Sequence, residues 1–415
     1  MNIPIVHVGE LALNDSGAFK IGPFGSSLKK TELVESGIPV AGIENVLPNK
    51  FVKGFRRFIT ARKFEELSDY EILPDDVLVT TMGTIGRAAS APPDLGRVIF
   101  DSHLFRMRVD TSRVFPPYLC YALNSDLVAS QLARMARGAI MEGLNTTILR
   151  ECSIPLPEIS EQQRIAGRLE QAAQLVRTRV YAIELTDRFL PAAFLELFGD
   201  PKQNPNEWPE QTFSDVCSKF SDGPFGSNLK SSDYRSSGVR VVRLQNIGVG
   251  EFLDDDKAFV AKEHFAALQK HTCVPGDVLV GTMGDPNLRA CIQPTHIPIA
   301  LNKADCIQAR PDPKHLNALY LRCLLNIPST LHLVPGMVHG QTRARVSMGE
   351  LARLPIPVPP IQLQQEFAAL VERVERLRAV QREALRQADH LFQTLLHRAF
   401  SETDSSKTAK IEVVA

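Results

Sequence analysis

The sequence predicts a tandem repeat of two similar globular units of mixed α/β (α+β) class, each followed by one long helix. Three observations support this prediction: motifs that occur twice at a fixed offset, a Pro-rich segment that ends each unit, and a long helical periodicity after each of these segments. The chain has 415 residues, whereas a single hydrophobic core stops growing at roughly 250 to 300 residues. Two or more domains are therefore expected.

The duplication is clearest in two short motifs. Residues 21–30 (IGPFGSSLKK) match residues 222–231 (DGPFGSNLKS) at seven of ten positions, with an offset of 201. Residues 74–83 (PDDVLVTTMG) match residues 275–284 (PGDVLVGTMG) at eight of ten positions, with the same offset. The offset then becomes 202, and it aligns the segments IPLPEISEQQ and IPVPPIQLQQ. The common order of segments indicates one fold used twice.

Each repeat mixes strand-like and helix-like segments. Residues 77–80 and 239–244 are rich in β-branched residues and predict strands, whereas residues 117–135 and 313–325 have helical periodicity. The second repeat opens with a Trp208-Pro209 lead that the first repeat lacks, which predicts a shorter first strand in the first repeat.

A long helix is predicted after each Pro-rich exit. The prolines favour an extended backbone at 154–157 and 356–359, and Ser160 with Gln163 fits a capping box. Apolar residues then recur at spacings of three and four, the pattern of a coiled-coil seam. An alternative is that each helix packs only on its own domain. The predicted seam consists of Ile165, Leu169, Val176, Ile183 and Leu190 in the first helix, and Phe367, Leu370, Val374, Leu377, Leu391 and Leu395 in the second.

Composition is that of an ordinary globular protein. Hydrophobic residues make up 44% and charged residues 23% of the chain, and no long uncharged apolar run or signal peptide is present. A cytoplasmic location is therefore expected. Lysine plus arginine equals aspartate plus glutamate at 47 each, which argues against nucleic-acid binding because phosphate neutralisation usually leaves a basic excess.

No motif for catalysis or metal binding is found. The sequence has neither a G-x-x-x-x-G-K-[ST] phosphate loop nor a G-x-G-x-x-G turn, and its seven cysteines include no C-x-x-C pair. The segment Met82-Gly83-Thr84-Ile85-Gly86 is better explained as a tight turn than as a cofactor loop. Asp75 and Asp76 are interpreted as solvated or capping carboxylates. We therefore predict no catalytic residue and no metal site in this chain.

Two GPFGS-x-L-K elements, two P-x-D-V-L-V-x-T-M-G elements and two I-P-x-P exits that lead through a Gln-Gln pair into a long helix together resemble Type I restriction-modification specificity subunits. The resemblance spans residues 8–400. It implies target-recognition domains at 1–159 and 200–359, each of which reads one half of a split DNA site. It also implies spacer helices at 160–199 and 360–401 that form an antiparallel coiled coil in a pseudo-twofold repeat. The polar tail at 402–415 is expected to be disordered.

The same resemblance implies the partners. They are double-stranded DNA, methyltransferase subunits (two are expected) that dock on the coiled coil, and restriction/translocase subunits, with no membrane. S-adenosylmethionine and ATP with Mg²⁺ are expected in the partner subunits, and no cofactor is expected in this chain. The chain would then be a non-catalytic adaptor. The alternative is a protein-interaction scaffold that uses its helices without reading DNA, which the neutral net charge favours.

Candidate DNA contacts in the first half form a local basic patch. Within residues 49–64 there are six cations and no acid, interleaved with phenylalanines. The equivalent segment of the second half contains Asp254, Asp255 and Asp256 and cannot act in the same way. A charge run is also compatible with a merely solvated surface. The candidates here are Lys50, Lys53, Arg56, Arg57 and Arg62.

In the second half the candidates follow Pro335-Gly336, where donors for base edges and phosphates are concentrated. They are His339, Gln341, Thr342, Arg343 and Arg345, with Arg134 and Arg137 opposite them in the first half and Arg243 in a strand-like run. The GPFGS loops add Lys29 and Lys230 as candidate phosphate contacts, since their glycines could expose backbone donors. The competing interpretation is a structural turn that Pro23 and Phe24 anchor, with glycines at positive φ.

Overall fold

The computed structural model describes residues 3–15, 17–135, 146–284, 286–334 and 345–401. The chain divides into two compact units, which we call unit 1 (residues 1–179 and 384–415) and unit 2 (residues 180–383). The tail at 402–415, for which disorder is predicted, lies outside the described residues.

Unit 1 combines short strands with short helices and one end of each long helix. Its helices are α1 Ala61–Glu66, α2 Pro116–Leu123, α3 Asp126–Met135, α4 Thr146–Glu151 and the first half of α5 Ile159–Phe198. Its strands are β1 Ile5–His7, β2 Phe19–Ile21, β3 Ile38–Ala41, β4 Val46–Leu47, β5 Lys50–Phe51, β6 Phe58–Ile59, β7 Val77–Thr80, β8 Ala88–Ser90, β9 Ile99–Phe100, β10 Leu104–Met107 and β11 Ser153–Pro155.

The strands of unit 1 form small sheets. An antiparallel sheet has the order β2-β10-β7-β8, and a second sheet has the order β6-β3-β9 with β3 and β9 parallel. Strand β1 pairs with β11, which is the first Pro-rich exit. Strand β7 is buried along its whole length, as expected for a continuous apolar run that is covered on both faces.

Unit 2 contains the corresponding elements. Its helices are the second half of α5, α6 Lys262–Ala266, α7 Ala318–Leu325, α8 Met348–Ala352 and the first half of α9 Ile361–Phe400. Its strands are β12 Glu210–Thr212, β13 Cys217–Ser221, β14 Val239–Val242, β15 Ala258–Val260, β16 Thr272–Cys273, β17 Val278–Gly281, β18 Ala290–Ile292, β19 Ala300–Asn302, β20 Cys306–Pro311 and β21 Pro355–Pro357.

The sheet order corresponds in unit 2, whose second sheet has one strand more than that of unit 1. Strands β13-β20-β17-β18 form the antiparallel sheet, β15-β14-β19-β16 form the second sheet, and β12 pairs with the second Pro-rich exit, β21. This agreement confirms the predicted mixed α/β repeat. The expectation of a shortened first strand is wrong, because β1 and β12 each have three residues. The exit strand defines their length, since each first strand pairs with all three residues of its exit strand.

The two long helices are antiparallel to each other in both units. In unit 2, Phe194 and Phe198 from the end of α5 pack on Phe367 near the start of α9, with ring centroids 5.6 and 5.3 Å apart. In unit 1, Leu169 of α5 and Phe400 of α9 belong to one buried cluster. These contacts confirm the prediction that the two long helices pack on each other as an antiparallel coiled coil.

The seam differs from the predicted one at two positions. Leu169, Leu190, Phe367 and Val374 are buried, whereas Leu377 and Leu391 are largely exposed. A straight helix drifts by about 20° per heptad relative to a 3.5-residue repeat, so a fixed heptad pattern leaves the buried face. The seam residues that are partly buried are Ile165, Val176, Ile183, Leu370 and Leu395.

The first glutamine of each Gln-Gln pair joins a long helix to its unit. Gln162 is fully buried, accepts a hydrogen bond from the Phe115 N–H (2.8 Å) and donates to the carbonyls of Arg113 (3.0 Å) and Pro157 (2.8 Å). Gln364 makes the equivalent bonds to Asn317, His315 and Pro359. These bonds explain why the first glutamine of each pair recurs, because it fixes the start of each helix. None of the helices in the described part of the chain is long and apolar enough to cross a membrane.

Candidate nucleic-acid interface

The repeated motifs of unit 1 meet at one end of the antiparallel sheet. Ile21 at the end of β2 pairs with Phe105, and Thr80 at the end of β7 pairs with Leu104. The Gly22 N–H donates to the Leu104 carbonyl over 3.1 Å. The GPFGS loop, the loop after β7 and the turn before β10 therefore lie side by side. We call residues 22–29, 81–87 and 101–103 the rim of unit 1.

Unit 2 has the same arrangement. Ser221 pairs with Gln308, and Gly281 pairs with Cys306, so the second GPFGS loop and the second TMG segment also adjoin the turn before β20. The Thr282 N–H donates to the Asp305 carbonyl over 3.0 Å. We call residues 222–230, 282–284 and 303–305 the rim of unit 2.

The GPFGS loop is a turn in which glycine is required twice. A Cβ on Gly22 would lie 2.0 Å from the Asp101 carbonyl oxygen, and Gly25 has φ +53°. Pro23 is buried, but Phe24 is exposed. The interpretation as a structural turn therefore holds for the proline and the glycines, whereas the phenylalanine does not anchor the turn. The Gly22 N–H is also not free to bind an anion, since it donates to Leu104.

Within the described part of the chain, the basic patch of unit 1 contains some cations that form ion pairs and some that do not. Arg57 donates to Asp101 in the rim (2.6 Å) and to Glu44 (3.3 Å), and is half-buried. Lys53 pairs with Asp94 at 2.7 Å. Arg62 is almost fully exposed and lies 3.8 Å from Glu66. The remaining candidates of the patch, Lys50 and Arg56, are exposed.

The rim of unit 2 has a different set of cations. Arg345 pairs with Asp305 at 2.7 Å, and its guanidinium lies 5.3 Å from the centroid of the Phe225 ring. Arg243 pairs with Asp256 and lies 5.3 Å from the Tyr234 ring, which Lys303 also approaches at 5.4 Å. Sequence reasoning missed Tyr234 and Lys303, because neither stands in a charge run or a repeated motif.

The other predicted contacts are placed as follows. Lys29 and Lys230 are exposed at the ends of the two GPFGS loops, and Arg134 is exposed near the end of α3. Of the candidates in the predicted loop of the second half, Arg345 alone lies among the described residues. The candidates outside the described residues are Arg137, His339, Gln341, Thr342 and Arg343.

The aspartate of each D-V-L-V motif is buried in its sheet and binds arginine. Asp76 accepts from the Leu73 N–H (2.8 Å) and lies 3.3 Å from the Nε of Arg108, so it is a capping group rather than a solvated one. Burial raises the pKa of the Asp76 carboxyl, although the nearby arginines oppose that shift. In unit 2 Asp277 binds Arg310 through two hydrogen bonds of 2.7 and 3.0 Å. These pairs support the sheets that carry the rims.

The described residues offer little for covalent or metal chemistry. The cysteines are unpaired, and burial raises the pKa of Cys120, Cys217 and Cys291 to about 12. These thiols stay protonated at neutral pH and are poor nucleophiles. Within the described ranges no three His, Cys, Asp or Glu side chains are placed to hold a metal ion.

The chain resembles known proteins over most of its length. A model of the family described as "Type I restriction modification DNA specificity domain" matches residues 19–184. A putative type I restriction enzyme MjaX specificity subunit from Methanocaldococcus jannaschii is 20% identical over 370 residues, covering 85% of this chain and 84% of the relative. The MjaIX specificity subunit of the same organism is 21% identical over 344 residues, covering 78% and 76%.

Two solved structures share the fold. One chain comes from a study of complex assembly and conformational transition of the type I R-M system; it has a TM-score of 0.58 and 19% identity, with 96% of this chain and 98% of that chain covered. The other is the S subunit of a type I restriction-modification system from M. genitalium, with a TM-score of 0.57, 17% identity and 97% of both chains covered.

Proposed function

The chain belongs to the family of Type I restriction-modification specificity subunits, and we propose that it recognises a split DNA sequence, with one half-site read by each unit. One observation carries this proposal. The two rims have the same strand framework, but different cations surround them.

The difference begins at equivalent positions. Asp101 in the rim of unit 1 holds Arg57, whereas its equivalent in unit 2 is Asn302, which is buried and donates to the Cys306 carbonyl over 3.0 Å. Arg243 of unit 2 pairs instead with Asp256. A shared framework with different donors at its edge suits two readers of different base sequences, because base contacts specify a sequence and phosphate contacts only position the protein.

The helices are proposed to dock the partner subunits. Leu175 and Leu377 are equivalent at the 202 offset, as are Phe189 and Leu391, and all four are between 44% and 47% exposed. Each unit therefore presents one residue of each pair. Large apolar side chains that recur at equivalent exposed positions suit an interaction surface, and their duplication supports two copies of the same partner. We assign these partners as methyltransferase subunits.

The helices are also proposed to set the gap between the half-sites. Each has 40 residues, which corresponds to about 60 Å at 1.5 Å per residue. This length is sufficient to separate two DNA contacts by more than one helical turn of duplex, which is about 34 Å.

Catalysis is assigned to the partners. In this proposal S-adenosylmethionine is bound by the methyltransferase subunits, and ATP with Mg²⁺ by the restriction/translocase subunits. The described residues of this chain contribute DNA contacts and docking surfaces. Methyl-donor binding to the isolated chain would contradict this assignment.

DNA binding by the assembled methyltransferase complex tests the proposal. A fluorescent duplex with the sequence methylated in cells that carry the complete system should bind much more tightly than duplexes with either half-site scrambled. The affinity should fall as salt is raised, because bound cations release counterions from phosphate. Equal affinity for all three duplexes would favour the scaffold alternative, in which the helices act without sequence reading.

A further inference from the structure

Each GPFGS loop holds a phenylalanine ring out of its unit. Phe24 is 59% exposed and Phe225 is 46% exposed, while the proline before each is buried. A large apolar ring on the surface is informative when it recurs at the same place in both repeats, because isolated exposed apolar residues are ordinary.

The backbone enforces this exposure. A Cβ at position 22 would lie 2.0 Å from a backbone atom of the turn before β10. A Cβ at position 223 would lie 2.1 Å from a backbone atom of the turn before β20. The glycines after the rings have φ of +53° (Gly25) and +58° (Gly226), which other residues rarely adopt. The first glycine of each loop thus allows close packing against the sheet, and the second glycine allows the chain to turn. The conformation of each loop therefore holds the phenylalanine ring at the surface.

Cationic residues accompany both rings, although one of them, Arg345, is paired with Asp305. Arg345 lies 5.3 Å from the Phe225 centroid, and Lys230 is exposed five residues along the loop. Lys29 takes the same position after Phe24. Cations attract phosphate, but a phenylalanine ring has no hydrogen-bond donor or acceptor and cannot form the hydrogen bonds that distinguish base edges. Its favourable contacts on a duplex are with the apolar side of a deoxyribose or, where a base step is partly opened, with the face of a base.

We propose that Phe24 and Phe225 are apolar DNA contacts, one at each half-site, which position the duplex against the rims without reading its sequence. This inference rests on the proposed function. The same ring stands in both units although the cations around the two rims differ, so the contact suits a feature that both half-sites share. Docking of a protein partner on these rings is the competing outcome.

The first test is the affinity of assembled complexes that carry Phe24→Ala or Phe225→Ala. The probes are the duplex methylated in cells and two derivatives in which one half-site is scrambled. Loss of one aromatic contact should weaken binding about 5- to 150-fold. Because the proposed contact reads no sequence, the loss should be of similar size for all three probes. The slope of affinity against salt should stay unchanged, since a phenylalanine neutralises no phosphate, and Phe24→Trp should retain binding.

The matched control is Leu13→Ala. Leu13 is similarly exposed in unit 1, but its N–H donates to the Arg108 carbonyl just beyond β10, at the sheet end opposite the rim. This variant should bind like the unaltered complex. If the phenylalanine variants assemble and also bind normally, or if their base preferences change, the inference is wrong. Failure of the unaltered complex to discriminate between the probes would instead overturn the proposed function.

Photo-crosslinking gives a result that does not depend on an alanine variant folding. p-Benzoylphenylalanine placed at position 24 or 225 keeps an aromatic ring in the loop. Irradiation of the assembled complex with labelled duplex should join this chain to DNA. Cross-links only to a protein subunit, or no DNA cross-link from a complex that still binds DNA, would overturn the inference.

Discussion

Two neighbouring sets of cations in unit 1 should respond differently to substitution. The side chains of Lys50 and Arg56 are exposed and make no ion pair or hydrogen bond with the described residues. Arg57, next in sequence, is held by Asp101 and Glu44. We predict that a Lys50→Ala and Arg56→Ala double variant loses phosphate contacts, whereas Arg57→Ala mainly loses stability.

The expected change in salt dependence follows from the number of cations removed, which is two. Each phosphate contact contributes about 0.9 to the slope of log affinity against log salt, so the double variant should lower that slope by about 1.8. Between 50 and 200 mM salt, its affinity should therefore fall about 12-fold less than that of the unaltered complex. Arg57→Ala leaves the buried carboxylate of Asp101 without its cation, which should cost about 1 to 3 kcal/mol of stability.

Fluorescence anisotropy of the assembled complex at four or more salt concentrations measures the slope, and urea unfolding of the isolated chain measures the stability. The unaltered protein is the reference in both measurements. Arg57→Ala is the control variant for the salt slope, and the double variant is the control variant for the stability. An unchanged salt slope in a folded double variant would refute the argument that the patch touches DNA. A normal unfolding midpoint for Arg57→Ala would refute its structural role.

The remaining predictions concern specificity, spacing and the helix pair. Replacing Gln341 and Arg343 with Ala should relax base preference by ~1 to 3 kcal/mol per lost base contact, and only in the half-site of unit 2, as measured with duplexes altered one position at a time; equal effects on both half-sites would exclude this loop. Four residues inserted after Thr186 add about 6 Å of helix and should lengthen the gap between methylated half-sites by about one to two base pairs at ~3.4 Å each; an unchanged gap in an active variant would contradict the spacing role. Phe194→Ala should lower the free energy of unfolding by about 3 to 5 kcal/mol, since the ring is buried between Phe198 and Phe367; a loss below 1 kcal/mol in urea unfolding would show that this contact is not part of the stable pairing of the helices.

Features with a strong local pattern could be predicted from the sequence. The apolar D-V-L-V run of each repeat predicts a buried strand, and β7 and β17 begin within these runs. The long helices were predictable for the same reason, since their periodicity extends over many turns. Their first residue was not: α5 begins at Ile159, so Ser160 lies inside the helix and does not cap it. Helix ends depend on one or two residues and are less determined.

Pairings between distant residues could not be predicted. Asp101 lies 44 positions from Arg57 in sequence, and only the fold brings the two together. The burial of Asp76 likewise depends on Arg108, which reaches it from beyond the neighbouring strand. A run of cations in the sequence therefore did not reveal which cations remain available for DNA.

Exposure was the other missing quantity. One of the two interpretations of the GPFGS loop makes Phe24 an anchor of a structural turn, yet its ring faces outward. The available signal was the identity of both loops, which kept phenylalanine between two glycines in each repeat. A structural turn alone would have required the glycines and the proline but not the ring.

The central claim is that two similar units read two different half-sites at a fixed separation. Sequencing of modified bases in DNA from cells that carry the complete system tests it most directly. The account predicts one methylated motif made of two different specified half-sites with an unspecified gap of constant length, and it predicts loss of that motif when this chain is deleted. A continuous motif without a gap, or a methylation pattern that persists without this chain, would contradict it.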